Sequence, residues 1–152
     1  MNICILGEGA MGALVGGLRA ETGETVTLVD VNDAHHAAVQ EKGLRLDTDA
    51  GSRHVRTLAA SRPETTACQP DLLVVFTKTM HTVAALQQIS HLIGPETCVL
   101  TLQNGLGNLE TAAKFVPQRR VFSGMTTWPA DYGGPGHVSA HGQGLIRLMA
   151  AD

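Results

Sequence analysis

Three glycines, Gly7, Gly9 and Gly12 of the hexapeptide GEGAMG, and an acid, Asp30, 18 positions after the third, are the first residues here whose types and spacing suggest chemistry. The G-x-G-x-x-G spacing alone carries little weight in a chain with 17 glycines among 152 residues, since turn and helix-packing glycines reproduce it by chance. Position gives it meaning. Asn2 to Leu6 is a short apolar, β-branched run suited to a strand buried on both faces, and Ala10 to Ala20 sets Met11, Leu14, Val15 and Leu18 on one helical stripe. The glycines fall where a strand hands over to a helix, and there the unpaired N–H groups of the first helical turn, with the helix dipole, make a site for a phosphate. Gly7 then allows the tight turn, Gly9 admits a pyrophosphate to the backbone and Gly12 lets helix and strand approach, with Glu8, Ala10 and Met11 completing the loop. A second apolar run, Thr25 to Val29, ends in Asp30, at the distance where a dinucleotide-binding βαβ unit sets an acid on the adenosine ribose.

The elements that would position further residues repeat this alternation. Asp71 to Thr77 and Thr97 to Leu102 are apolar runs too short for helices. Between them Val83, Leu86, Ile89, Leu92 and Ile93 carry the helical period up to Gly94-Pro95. A short helix over Leu109 to Phe115 and a fifth strand over Arg120 to Gly124 follow. Gly43 to Leu58 and Gly136 to Ala150 alternate with period two around turn-forming residues and read as two added hairpins, the second turning at His141 to Gly144. The expected fold is α/β, a doubly wound, mostly parallel sheet of Rossmann type with antiparallel hairpins added, in a single domain over residues 1–152. In such a sheet the strand C-termini share one edge where ligands bind, and that edge receives Gly7 to Gly12, Asp30, Lys78, Gln103-Asn104-Gly105 and Gly124 to Trp128. Taken singly, Lys78 reads as a solvated lysine and Asn104-Gly105 as a turn dipeptide.

Composition restricts the partners. A formal net charge of −3, with no basic tract, argues against a general nucleic-acid binder. Cys4, Cys68 and Cys98 are an odd, widely spaced set and read as reduced core thiols of a cytoplasmic protein, with no disulfide. No apolar run is long enough for a membrane helix. The seven histidines make no metal site, since His35 and His36 are adjacent and His137 and His141 flank glycine-rich turns without a cysteine or acid cluster.

Together and in order, GEGAMG, FTKTMHT (Phe76 to Thr82), LQNGLGN (Leu102 to Asn108) and GMTTWPADYGGPG (Gly124 to Gly136) resemble the N-terminal domain of the ketopantoate reductase (2-dehydropantoate 2-reductase) family over essentially the whole chain. The resemblance implies an oxidoreductase that reduces 2-dehydropantoate to pantoate with NADPH or NADH, on the route to pantothenate and coenzyme A. It implies Gly7 to Gly12 as the pyrophosphate loop and Lys78 and Asn104 beside the nicotinamide half of the cofactor. Lys78 would act there as a point charge, Asn104 as an orienting amide, and Ala130 would touch the cofactor through its backbone.

The family's proton-donating lysine and a substrate-binding acid lie in a helical C-terminal domain that these 152 residues lack, so the chain reads as a fragment or truncated product, inactive alone and prone to self-association, with a homodimer one form. Where the family commonly has an arginine for the 2′-phosphate of NADP, this chain has Asp30-Val31-Asn32, which favours NAD unless Arg45, Arg53 or Arg56 reaches back to the phosphate. Two alternatives stay open: the cofactor domain of another 2-hydroxyacid-type dehydrogenase, and a non-catalytic nicotinamide-nucleotide-sensing module.

Overall fold

The computed structural model describes residues 1–151. The chain enters as β1 (Asn2–Leu6), turns through the glycine segment into α1 (Ala10–Glu21) and returns as β2 (Thr25–Val29), the unit expected from pattern alone. A helix with no predicted counterpart follows, α2 (Asp33–Lys42), with only a weak apolar stripe to announce it. Its start is set by Asn32, whose side-chain oxygen accepts the His35 N–H at 3.1 Å, and its end by Gly43 at φ 81°. Then come β3 (Leu44–Thr48), β4 (Gly51–Val55), β5 (Ala59–Ser61), β6 (Leu72–Val75), α3 (Thr82–Gln88), β7 (Cys98–Thr101), α4 (Asn108–Ala112), β8 (Val121–Thr126), β9 (Ala130–Gly134), β10 (His137–Ala140) and β11 (Ile146–Ala150). The periodic stretch after Val83 is not one helix: α3 stops at Gln88 and a separate 3₁₀ turn, Ser90–Leu92, carries the pattern on.

Seven strands form one sheet in the order β11-β8-β7-β6-β1-β2-β5. All its pairings are parallel except that of β11 with β8. The order reverses beside β1, with β2 on one side and β6 on the other, and a ligand crevice opens at the strand C-termini of such a reversal. A second sheet, β4-β3-β10-β9, lies across α1. The helix is therefore buried on two faces, not on one stripe: Gly12, Ala13, Leu14, Val15, Gly16, Gly17 and Ala20 are all covered. A Cβ on Gly16 would stand 2.6 Å from Leu28 of the first sheet, and one on Gly17 3.0 Å from Leu44 and Leu46 of the second. Small residues are what allow both sheets to close on one helix.

The Gly43 to Leu58 hairpin forms as β3 and β4, but Gly136 to Ala150 is not a hairpin. β10 pairs antiparallel with β9, through a turn at Gly134 to Gly136, and parallel with β3, while β11 crosses to the edge of the other sheet. Burial gives the reason. β10 buries Val138 and Ala140 in the core around α1, whereas all five residues of β11 are exposed, so the two strands have no shared apolar face to bury against each other. Of the cysteines only Cys4 is core; Cys68 and Cys98 are half-buried, and all three are free. No helix among the described residues is long and apolar enough to cross a membrane.

Candidate cofactor site

A cavity of about 580 Å³ opens at the reversal of strand order, between the loops that follow β1, β2 and β6. Gly7, Gly9, Asp30 and Lys78 line it, four residues brought together from three strand ends. The loop geometry follows from the glycines. Gly7 has φ 101°, and its N–H donates to Val29 at 3.0 Å, so the chain leaves β1 still tied to β2. A Cβ on Gly12 would lie 1.9 Å from the Gly7 carbonyl oxygen, so the first turn of α1 can sit on the loop only without a side chain there. Around Gly9 there is nothing within 4 Å of a Cβ. Gly9 is the N-cap of α1, and no side chain among the described residues caps that helix, so its first N–H groups have no side-chain acceptor there. This is a cradle that a pyrophosphate fits, with backbone donors and a helix N-terminus unopposed by any acid in the first turn.

Asp30 stands at the end of β2 with both oxygens oriented by backbone. Oδ2 accepts the Glu8 N–H at 2.8 Å and Oδ1 the Val31 N–H at 2.6 Å. Each oxygen keeps outward lone pairs for a diol. Glu8 itself does not line the cavity: its side chain is turned into the protein, and its N–H is spent on Asp30. The donors left in the loop are therefore those from Gly9 onward.

Lys78 is exposed and follows β6 at the N-cap of the 3₁₀ turn Thr79–His81. Asn104 lies outside the cavity, exposed on the loop after β7. The two loops are sewn together. Gln103 Nε2 donates to the Thr77 carbonyl and to Thr82 Oγ1 at 2.7 Å, and Thr79 Oγ1 donates to the Asn104 carbonyl at 3.2 Å. Asn108, buried, donates from Nδ2 to the carbonyls of Asn104 and Gly105 at 3.3 and 3.2 Å, which holds the Asn-Gly turn and leaves the Asn104 side-chain amide unengaged among the described residues. Gln103, which the sequence places at the sheet edge without a role, and Asn108, which it offers only within LQNGLGN, are positioning residues. Ala130 opens β9 and is half-buried against the core around α1, away from the cavity wall.

Two of the three arginines offered by the sequence, Arg53 and Arg45, are engaged elsewhere, while Arg56 is exposed and follows β4. Arg53 is held by Glu21 at the far end of α1 and Arg45 by Asp47 on its own strand, so neither reaches Asp30. A different cation stands nearby. Arg62, one residue after the Ser61 carbonyl that accepts the Asp30 N–H, is bound by Asp33 at 2.6 and 2.8 Å.

A parallel sheet with reversed strand order, a glycine cradle at the reversal and an acid at the end of the second strand define a Rossmann dinucleotide-binding domain. The chain belongs to the ketopantoate reductase PanE/ApbA family, whose model matches residues 3–152. A 2-dehydropantoate 2-reductase of Streptococcus pyogenes is 34% identical over 152 residues, 100% of this chain and 49% of that relative. One of Pyrococcus abyssi is 38% identical over 146 residues, 95% of this chain and 46% of the relative. Among solved structures, a ternary complex of D-mandelate dehydrogenase with NADH and anilino(oxo)acetate superposes with a TM-score of 0.94 at 34% identity, covering 100% of this chain and 49% of that one. The chain thus spans about half the length of the relatives it matches.

Proposed function

We propose that this chain is the cofactor-holding half of a nicotinamide-dependent 2-oxo acid reductase, with 2-dehydropantoate as the substrate. The observation that carries the reading is the cavity at the strand-order reversal, where the open cradle at Gly9, the oriented Asp30 carboxylate and Lys78 meet. When bound, a reduced nicotinamide supplies hydride to a carbonyl carbon. The chain's own residues do the holding. N–H groups from Gly9, Ala10 and Met11 take pyrophosphate oxygens, Asp30 accepts the adenosine ribose hydroxyls, Lys78 adds a positive charge, and the Asn104 amide fixes an oxygen or carboxamide at the reacting end. The proton donor for the substrate oxygen belongs to the part of the relatives that this chain does not span, read from the family resemblance as helical. Exposed Met125, Ile146, Leu148 and Met149 along β8 and β11 support a covering surface there.

The likeness to D-mandelate dehydrogenase favours a second reading within the same class, in which the 2-oxo acid carries an aromatic substituent. Calorimetric titration of the chain with NADH and NADPH tests the cofactor half, and saturable binding of neither refutes it. Steady-state reduction of ketopantoate against phenylglyoxylate, in an enzyme of the relatives' full length carrying this domain, tests the substrate half. A higher kcat/KM for ketopantoate is expected, and the reverse order establishes the second reading. Turnover of neither, with NADH still bound, leaves the sensing-module alternative.

A further inference from the structure

The residue between the first two glycines of the loop is a glutamate whose side chain points away from the cavity, 3% exposed. Two histidines from the first turn of α2 meet it. Glu8 Oε1 lies 2.5 Å from His36 Nε2, and Oε2 lies 3.4 Å from His35 Nε2. His35 is fully buried, and its Nδ1 accepts the Gly136 N–H at 3.1 Å and faces the Tyr132 hydroxyl at 3.5 Å. A ring nitrogen that accepts a backbone N–H carries no hydrogen, so His35 is the Nε2–H tautomer and turns that hydrogen toward Glu8. Among the described residues neither Glu8 Oε2 nor His35 Nε2 has a hydrogen-bond partner, so these two buried polar atoms face each other at 3.4 Å with no other group to satisfy them. At 2.5 Å, His36 Nε2 and Glu8 Oε1 are too close to be two bare acceptors, so one proton lies between them.

The charged and titratable groups around this cluster are few. Asp30, from the end of β2, holds the Glu8 N–H; Asp33 and Arg62, paired with each other, act on His36; Tyr132 closes the His35 side. Burial and the Asp30 charge push the Glu8 carboxyl up to about 9, and burial lowers both imidazoles. Glu8 and Asp30 together would place two negative charges directly behind a loop whose ligand is itself an anion. The shared proton removes one of them.

We propose that Glu8, His35 and His36 are a proton-holding cluster that positions the pyrophosphate loop and keeps it free of an added negative charge, so that dinucleotide affinity falls when the proton is lost in alkaline solution. This rests on the reading of Gly7 to Gly12 as a pyrophosphate site. His35, which approaches Glu8 at 3.4 Å, also accepts the Gly136 N–H, so it stands between the loop and the hairpin that begins at Ala130.

The test is calorimetric titration of the chain with NADH between pH 7 and 9.5, in two buffers of different ionisation enthalpy, for the natural protein and Glu8→Gln. NADH keeps its pyrophosphate charge across this range, and Lys78 is common to both proteins. The natural chain should lose affinity by up to about fourfold toward pH 9.5 and take up protons on binding near pH 9, while Glu8→Gln shows neither effect. Identical pH dependence in the two proteins, or binding by the natural chain without proton uptake, overturns the proposal. The proton-uptake arm needs no variant, so its absence in the natural chain overturns the proposal even if Glu8→Gln does not fold. If NADH binds at no pH, the cofactor reading itself fails and the proposal falls with it.

Discussion

Replacing the adenosine 2′-hydroxyl by a 2′-phosphate, as NADPH does, puts an anion where Asp30 is held rigidly. Its carboxylate oxygens are fixed at 2.8 and 2.6 Å from the N–H groups of Glu8 and Val31, so the side chain cannot swing aside without breaking two hydrogen bonds. At about 5 Å the repulsion is about 1 to 3 kcal/mol per unit charge, for effective dielectrics between water and a protein surface. The N-terminus of α2, which starts just after Asp30, offers an opposing attraction of about 0.3 to 1 kcal/mol, and Asp33 in its first turn reduces that further. With that attraction at its lower end, about 0.7 to 2.7 kcal/mol of repulsion remains, and NADH should bind about 3- to 100-fold more tightly than NADPH. The assay is parallel calorimetric titration of the natural chain and Asp30→Ala with both cofactors at fixed ionic strength. Loosening of the loop in the variant weakens both cofactors alike, so their ratio isolates the charge. It should collapse toward unity in Asp30→Ala. Equal or tighter NADPH binding by the natural chain, or a ratio unmoved by the substitution, would refute the argument.

Asp33→Ala releases Arg62 from its ion pair beside the proposed ribose site, and the same titrations should show NADPH gaining severalfold on NADH. Gly9→Ala and Gly12→Ala should separate binding from folding. The first puts a methyl group into the open cradle and should weaken NADH binding by at least about tenfold at unchanged urea midpoint. The second drives a Cβ into the Gly7 carbonyl and should cost about 2 to 4 kcal/mol in urea denaturation. Because the Glu8 carboxyl is raised from its ordinary 4.5 to about 9, its stabilising protonation is complete below pH 4.5 and is lost as pH rises toward 9. Glu8→Gln should therefore match the natural protein near pH 4.5 and exceed it by about 1 to 3 kcal/mol at pH 8, read by denaturant titration across that window.

The local unit was legible because local rules govern it. An apolar, β-branched pentapeptide, glycines at its end and a helical period after them specify β1, the loop and α1 without reference to anything distant, and Asp30 is placed by the length of the unit that ends in it. The Gly43 to Leu58 hairpin was legible for the same reason, since its turn and its alternation lie in one continuous stretch. Partner choice over longer range was not. β10 and β11 share a period-two pattern, and only the apolar space left between α1 and β3 assigned one to the second sheet and left the other as an exposed edge. α2 escaped notice because its apolar stripe is weak, although Asn32-Asp33 is a capping signature that sequence inspection could have used. With α2 unseen, His35 and His36 read as two adjacent histidines with no metal to bind. Their contact with Glu8, 27 and 28 positions back, exists because α2 packs beside the loop, and the proton they hold was decided by burial. Periodicity encodes which way a side chain faces along its own element, whereas what it faces depends on the packing of the whole chain.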